Sequence, residues 1–263
     1  MSRLFDGDLD YIKVDDDARL ESSSSISISC WYYPTGDPGT NGGRIISKND
    51  GTDNDAYALT HILSNDQLQF RIRTTTGTAN ISVNDIFTTY DQWYHLMGLW
   101  ATWGTAMRLY VDGTQVGSSL TRTGALLNTT DPFSIGGHAG SDTRRVQGRI
   151  AEVGIWNFRI SSSGPPGVMR RVRNYPQNNV LYMPLWGKSA TEMEYTFGGS
   201  YTVTHVSGPT VADHAPCGPK FTCDIWPSLP AAVAPAGATA GIAVFNWTAL
   251  SPRAFEAKVA EST

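Results

Sequence analysis

The sequence contains few of the residues on which several function classes depend. Of its 263 residues only 3 are cysteine, and no set of cysteine and histidine has the spacing of a zinc site. Charged residues make up 17% of the chain, and its formal net charge is −4. Because a protein that binds nucleic acid through phosphates needs a basic stripe, we expect no nucleic-acid partner.

Long apolar segments are also missing. No stretch is long and apolar enough to span a bilayer, so we expect no membrane insertion. The chain does not open with a basic segment followed by an apolar one, and a secretion signal is therefore not predicted. Apolar residues do not recur at helical spacing over any long window, which argues against a mainly helical fold.

The sequence does contain many short segments with strand alternation. Residues 68–73 (LQFRIR) alternate between apolar and polar, whereas residues 93–100 (WYHLMGLW) are apolar on both faces and predict a central strand. In residues 148–157 the alternation predicts Ile150 on one face and, on the other, Ala151, Val153 and Ile155. These segments predict an all-β fold, a sandwich or jelly roll of two antiparallel sheets.

The composition changes near residue 207. Residues 1–207 form the predicted jelly roll, and residues 208–263 form an extended, irregular C-terminal arm rich in Pro, Ala and Gly. Cys217 and Cys223 lie in it, and their spacing fits either a local disulfide or free thiols. The aromatic residues of the arm include Phe221, Trp226, Phe245 and Trp247. Burying one such side chain stabilises by about 1.5–3 kcal/mol, so we expect the arm to dock, on a neighbouring subunit or on its own domain.

Seven segments, in order, resemble the concanavalin A-like, laminin G-like superfamily that includes the pentraxins. They are residues 5–12 (FDGDLDYI), 26–31 (ISISCW), 43–48 (GRIISK), 92–95 (QWYH), 109–113 (LYVDG), 135–137 (IGG) and 148–156 (GRIAEVGIW). The match extends from residue 4 to about 160 and continues more weakly to about 214. The resemblance implies a jelly roll of two curved antiparallel sheets, whose members bind glycans or proteins.

The richest polar cluster lies in residues 48–55 and predicts a calcium site. Calcium prefers several oxygen ligands in a flexible turn, and the cluster supplies Asp50, Asp53, Asn54 and Asp55. In pentraxins an Asp-Asn pair of this loop ligates calcium, and Asp53 with Asn54 resembles it. The partner loop retains only Asp142. The alternative is a solvated turn in which Asx side chains cap the loop without a metal.

Catalysis is not expected. The glycosidases of this fold carry two or three carboxylates at alternate positions of one strand, because hydrolysis needs an acid and a second carboxylate on one groove. The sequence contains no Glu-x-Asp-x-x-Glu pattern.

Three aromatic residues at strand ends or in loops are candidate ligand contacts. Sugar rings present C–H groups that pack on aromatic faces, and Trp103, Tyr33 and Tyr90 are placed to offer such faces. For Trp103, packing against a neighbouring subunit is an equal alternative.

Domains of this kind with a Pro/Ala-rich extension resemble virion proteins of tailed bacteriophages. The preferred interpretation is a non-catalytic virion structural protein, a capsid decoration or fibre at the virion surface. Its partners would be other virion proteins or copies of itself, and cell-surface glycans. The alternative is a soluble, extracellular carbohydrate-binding lectin, with or without Ca²⁺. A degenerate glycosidase is the third hypothesis.

Overall fold

The computed structural model describes residues 2–39, 41–49, 55–103, 107–139, 144–170, 179–185, 200–213 and 215. All of them lie in the compact unit Met1–Cys223. The strands of these residues are β1 (Ser2–Asp6), β2 (Tyr11–Val14), β3 (Ser25–Pro34), β4 (Gly43–Lys48), β5 (Tyr57–Ile62), β6 (Gln67–Thr74), β7 (Gly77–Val83), β8 (Tyr94–Ala101), β9 (Met107–Val111), β10 (Thr114–Leu120), β11 (Phe133–Ile135), β12 (Gln147–Trp156), β13 (Leu181–Met183), β14 (Val203–Val206) and β15 (Thr210–Ala212). The helices are α1 (Pro165–Arg170) and two single-turn 3-10 helices, Ala18–Leu20 and Ser64–Asp66.

The strands form two antiparallel sheets that pack face to face. Sheet A has the order β10-β9-β8-β3-β12-β1-β15, with β13 also pairing with β12, and sheet B has the order β14-β2-β11-β4-β5-β6-β7. The main core lies between them and includes Ile28, Tyr32, Leu96 and Trp100 from sheet A and Ile12, Tyr57, Phe70 and Phe133 from sheet B. The predicted all-β, two-sheet antiparallel sandwich is confirmed.

Two sequence patterns translate directly into positions in the sheets. In β6, Leu68, Phe70 and Ile72 are fully buried, while the side chains between them are partly exposed. All residues of β8 are buried, and β8 lies between β9 and β3, so the predicted central strand is confirmed. A Cβ atom at Gly98 would lie 2.5 Å from Cε2 of Phe70, so only glycine allows β8 to approach that ring.

The alternation predicted for β12 is wrong after its fourth residue. Ile150 lies in the main core together with Val153 and Ile155, rather than on the opposite face. The cause is a bulge, because the pairing with β3 shifts between Ala151 and Gly154 and Glu152 has a φ of 53°. Ala151 packs on the outer face, beside Trp31.

The outer face of sheet A is covered by a second apolar layer. Met97, Leu99, Tyr110, Trp156 and Tyr182 form a buried cluster with Ile160 and Val168, and Phe158 packs against it. Val168 belongs to α1, which the sequence predicted as a helix over residues 168–174. The helix begins earlier, at Pro165, where proline suits the first turn, and residues 171–174 lie outside the described part. The central strands of sheet A, β8, β3 and β12, are therefore buried on both faces over most of their length.

Part of the predicted arm belongs to sheet A. The strand β15 pairs with β1, and the hydroxyl of Ser2 donates a hydrogen bond of 2.6 Å to the carbonyl oxygen of Asp213. The sheet thus continues past the predicted boundary at residue 207, to residue 212. The arm aromatics Phe221, Trp226, Phe245 and Trp247 lie outside the described residues. In the described part of the chain, no helix is long and apolar enough to cross a membrane.

Candidate functional site: a polar groove on sheet B

The outer face of sheet B carries a ladder of polar side chains across β6 and β7. The amide of Gln67 donates to Oδ1 of Asn84 at 2.6 Å, and the amide of Gln69 donates to the hydroxyl of Ser82 at 3.1 Å. The third rung is Arg71, whose Nε–H donates to Oδ1 of Asn80 at 3.2 Å. Sheet B therefore presents polar groups on its outer side at β6 and β7.

A groove of about 560 Å³ lies on this face. We call it the sheet B groove, and it is lined by Asn41, Arg44, Ile62, Gln69, Arg71, Thr78 and Arg144. These residues come from β4, β5, β6, β7 and the segments before β4 and β12. Its volume falls within the range of about 300–1,000 Å³ that is typical of small-molecule sites. Guanidinium, amide and hydroxyl groups dominate the lining.

Asp55 holds two of the arginines together. Its side chain is fully buried, and Oδ2 lies 2.9 Å from Nη2 of Arg44 and 3.5 Å from Nη1 of Arg71. A buried carboxylate is stable only when it is paired, and the shared oxygen ties β4 to β6 beneath the groove. At the rim, Nη1 of Arg144 donates to the carbonyl oxygen of Asn41 at 3.4 Å.

Of the five predicted calcium ligands, only Asp55 lies in the described part of the chain. Asp50, Asp53, Asn54 and Asp142 lie outside the described residues, and Asp55 is engaged with the two guanidinium groups. Within the described ranges, no group of three or more His, Cys, Asp or Glu side chains is arranged to hold a metal ion. The calcium site therefore stays a prediction.

The structure does not bring the three predicted aromatic contacts together. Trp103 is 56% exposed and follows the end of β8 at which Ala101 pairs with Ser25. Tyr33 lies near the other end, where its ring is 5.3 Å from that of Trp93. The two ends of β8 are eight residues, or about 26 Å, apart, so Trp103 and Tyr33 cannot belong to one binding surface.

Tyr90 is held in a hydrogen-bonded position beside sheet B. Its hydroxyl donates to Oδ1 of Asp37 at 2.7 Å and lies 3.4 Å from Oδ1 of Asp66, the residue directly before β6. Burial, followed by the bond to Asp37, raises the pKa of the Tyr90 hydroxyl, which therefore remains a donor at neutral pH. Its role as a ligand contact stays a prediction.

The sequence alone did not identify the residues that line the groove. The alternation of β6 placed Gln69 and Arg71 on an outward face, which was the available signal. No local pattern connected them with Arg44 and Arg144, because these side chains converge only through the pairing of β4, β5 and β6 and the return of the chain before β12.

Comparison with known proteins places this fold in a family. The family model of the concanavalin A-like lectin/glucanases superfamily matches residues 6–163, more than half of the chain. The chain belongs to this superfamily. The matched range agrees with the segments in which the resemblance was found, and no curated protein sequence matches the chain.

Two solved structures share the fold of this chain at low sequence identity. A heptameric SAP-like pentraxin of Limulus polyphemus has a TM-score of 0.51 at 15% identity, with 80% of this chain and 94% of that chain covered. A protein of Bacteroides ovatus ATCC 8483, named for a proposed role in carbohydrate binding, has a TM-score of 0.54 at 17% identity, with 80% of this chain and 62% of that chain covered. Domains LG4-5 of the mouse laminin alpha1 chain reach 0.45 at 15% identity, with 59% and 40% covered.

Proposed function

We propose that this superfamily member is a non-catalytic carbohydrate-binding module and that the sheet B groove is its saccharide site. The observation that carries the proposal is the lining, in which Gln69, Thr78 and Asn41 supply amide and hydroxyl groups on an outer sheet face. Vicinal sugar hydroxyls both donate and accept hydrogen bonds, as these groups do. Ile62 adds an apolar contact for the C–H groups of a sugar ring.

The charges at the groove support binding rather than hydrolysis. Glycoside hydrolysis uses two carboxyl groups, about 5–5.5 Å apart in retaining enzymes and about 6.5–9.5 Å apart in inverting ones. The described residues that line the groove include no carboxylate. Asp55, beneath the lining, is buried and ion-paired with Arg44, so it is not placed to donate a proton to a leaving group.

Removing the neutral hydrogen-bonding groups of the groove should weaken saccharide binding. We expect the double variant Gln69→Ala/Thr78→Ala to lose about tenfold in affinity, since each neutral hydrogen bond contributes about 0.5–1.5 kcal/mol. A glycan array would select the oligosaccharide, and titration calorimetry would measure its affinity. Gln115→Ala is the matched control, because Gln115 is an exposed glutamine on β10 of sheet A.

The same titration separates the proposal from its rivals. Failure of every glycan to bind, or an unchanged affinity in the double variant, would contradict a saccharide site in the groove. Loss of binding in EDTA, reproduced by Asp53→Ala, would favour the calcium-dependent lectin instead. Release of reducing sugar from any polysaccharide would favour the degenerate glycosidase.

A second proposed function, assembly into a virion surface as a decoration or fibre protein, rests on the composition of the arm. Residues 216–263 combine small residues and prolines with the aromatic residues Phe221, Trp226, Phe245, Trp247 and Phe255. Such a segment contains too little apolar surface for a core of its own, so contacts with copies of this chain or with other virion proteins would stabilise it. Saccharide binding and assembly are compatible, since they would use different parts of the chain.

If the arm joins copies of this chain, its aromatic residues should control the assembly state. We expect the full chain to sediment as a multimer, and the variant with these five aromatic residues changed to alanine to sediment as a monomer. Its glycan affinity should be unchanged. A truncation after Ala215 serves as a second variant, because it keeps the pairing of β15 with β1. A monomeric wild-type chain would contradict self-assembly through the arm.

A further inference from the structure

Positive charge is concentrated in the sheet B groove of a protein whose formal net charge is −4. Three of its seven lining residues are arginines, Arg44, Arg71 and Arg144, and they come from three separate segments of the chain. The buried carboxylate of Asp55 offsets one of these charges, so these four residues together contribute a net charge of +2 (three positive and one negative). A neutral sugar does not need this arrangement.

Contacts with neighbouring side chains hold the guanidinium groups of Arg44 and Arg71 in place. Oδ2 of Asp55 contacts the guanidinium groups of both Arg44 and Arg71, and the latter is also bonded to Asn80. Guanidinium groups fixed in this way are preorganised to receive a planar carboxylate or a sulfate, because their forked N–H donors match the oxygens of such anions. Little side-chain entropy remains to be lost on binding.

We infer that the sheet B groove takes an acidic saccharide, one that carries a carboxylate or a sulfate ester. This inference rests on the proposed function. The anionic group lies against Arg71 and Arg144, while the ring hydroxyls lie against Gln69 and Thr78. Both parts of the ligand are required, because the lining offers guanidinium groups beside neutral donors.

The test uses pairs of ligands, one anionic and one neutral. A galacturonic acid trisaccharide would be compared with its methyl ester, which keeps the ring hydroxyls but has no charge, and a sulfated galactose tetrasaccharide with its desulfated form, which is also neutral. We expect each anionic ligand to bind at least about tenfold more tightly than its neutral partner. Its affinity should also fall as NaCl is raised, because groove charges are screened by salt.

Variants of the groove arginines test which side chains bind the anionic group of the ligand. Arg144→Gln and Arg71→Gln should each weaken binding of the anionic ligand by about tenfold or more and leave the methyl ester unaffected. Arg144→Gln is the cleaner variant, since Arg71 also pairs with the buried Asp55. The control is Arg73→Gln, because Arg73 lies on the same strand and the same face but does not line the groove. Thermal melts would confirm that all variants are folded.

The outcomes distinguish the inference from the proposed function. Equal affinity for acid and ester, with both weakened by the change at Gln69, would overturn the inference and leave the saccharide site standing. Binding of inorganic sulfate as tight as that of the oligosaccharides would identify a simple anion site and overturn the saccharide part. If none of the saccharides binds, charged or neutral, the proposed function fails as well.

Discussion

Replacing Lys48 by methionine is expected to lower the free energy of unfolding by about 3–5 kcal/mol. The Lys48 side chain is fully buried at the end of β4, and four oxygens surround its ammonium group. They are Oδ1 of Asp16 at 2.6 Å, the carbonyl oxygen of Asp131 at 2.6 Å, the carbonyl oxygen of Thr129 at 3.2 Å and Oε1 of Glu21 at 3.3 Å. Methionine has a similar length and no charge, so the variant would leave two carboxylates without their cation.

Urea denaturation of wild type and variant would measure this effect. Lys13→Met is the matched control, because Lys13 pairs with Asp15 at 3.0 Å on the protein surface, with side chains 37% and 46% exposed. An exposed pair of this kind contributes about 0–1 kcal/mol, so the control should change little. A loss below about 1 kcal/mol in Lys48→Met would show that the buried ammonium is not a structural cation.

The domain should begin to lose stability at pH values well above the ordinary pKa range of carboxylates, because two buried histidines are held neutral in the folded state. Burial lowers the pKa of His95 to about 3 and that of His61 to about 4. In the unfolded chain both titrate near about 6.5, so below that pH the unfolded state binds protons that the folded state does not. The stability contributed by the neutral rings is complete above about pH 6.5 and is lost as the pH falls towards the folded-state values.

The variant His61→Gln/His95→Gln isolates this contribution. Glutamine does not titrate, and it retains a polar group towards the hydroxyls of Tyr32 and Ser29, which the two rings contact at 3.2 and 2.9 Å. Between pH 7.5 and 5.0, we expect wild type to lose about 4 kcal/mol more stability than the double variant, about 2 kcal/mol for each histidine. Urea denaturation at each pH would measure the difference.

The carboxyl groups of Asp10 and Asp112 act in the opposite direction. Burial raises the pKa of Asp10 to about 6 and also raises that of Asp112, so these groups stabilise the fold as the pH falls. Asp10→Asn should therefore steepen the acid loss, whereas the histidine variant makes it shallower. Parallel stability curves for wild type and the double variant would be incompatible with neutral buried histidines.

Local patterns predicted the strands well because alternation is a property of neighbouring residues. The β6 pattern separated Leu68 from Arg71 correctly, and the two-sided apolar pattern of β8 predicted its central position. The pattern failed at Glu152, where one residue in a bulge reverses the faces of everything after it. Nothing in the sequence around Glu152 distinguishes a bulge from continued alternation.

The candidate site was less predictable because it depends on pairs that are distant in the chain. The acidic neighbours of Asp55 predict a calcium ligand, whereas in the fold its Oδ2 lies between Arg44 and Arg71. Likewise, Lys48 meets Asp131 only because β4 pairs with β11, the strand that follows Asp131. Charge partners of this kind follow from sheet order, which local composition does not encode.

By itself, the sequence determined most strand positions, the lack of long helices among the described residues, and the family, since these follow from residue alternation and from motifs in order. The tertiary structure decided which sheet face is available to a ligand. The segment that contains Ile160 and Val168 covers sheet A, while the outer face of sheet B stays polar and is bordered by arginines. The physical reason is that burial of a sheet face depends on which distant segment folds over it. The residue pattern of a strand shows only which side chains share a face.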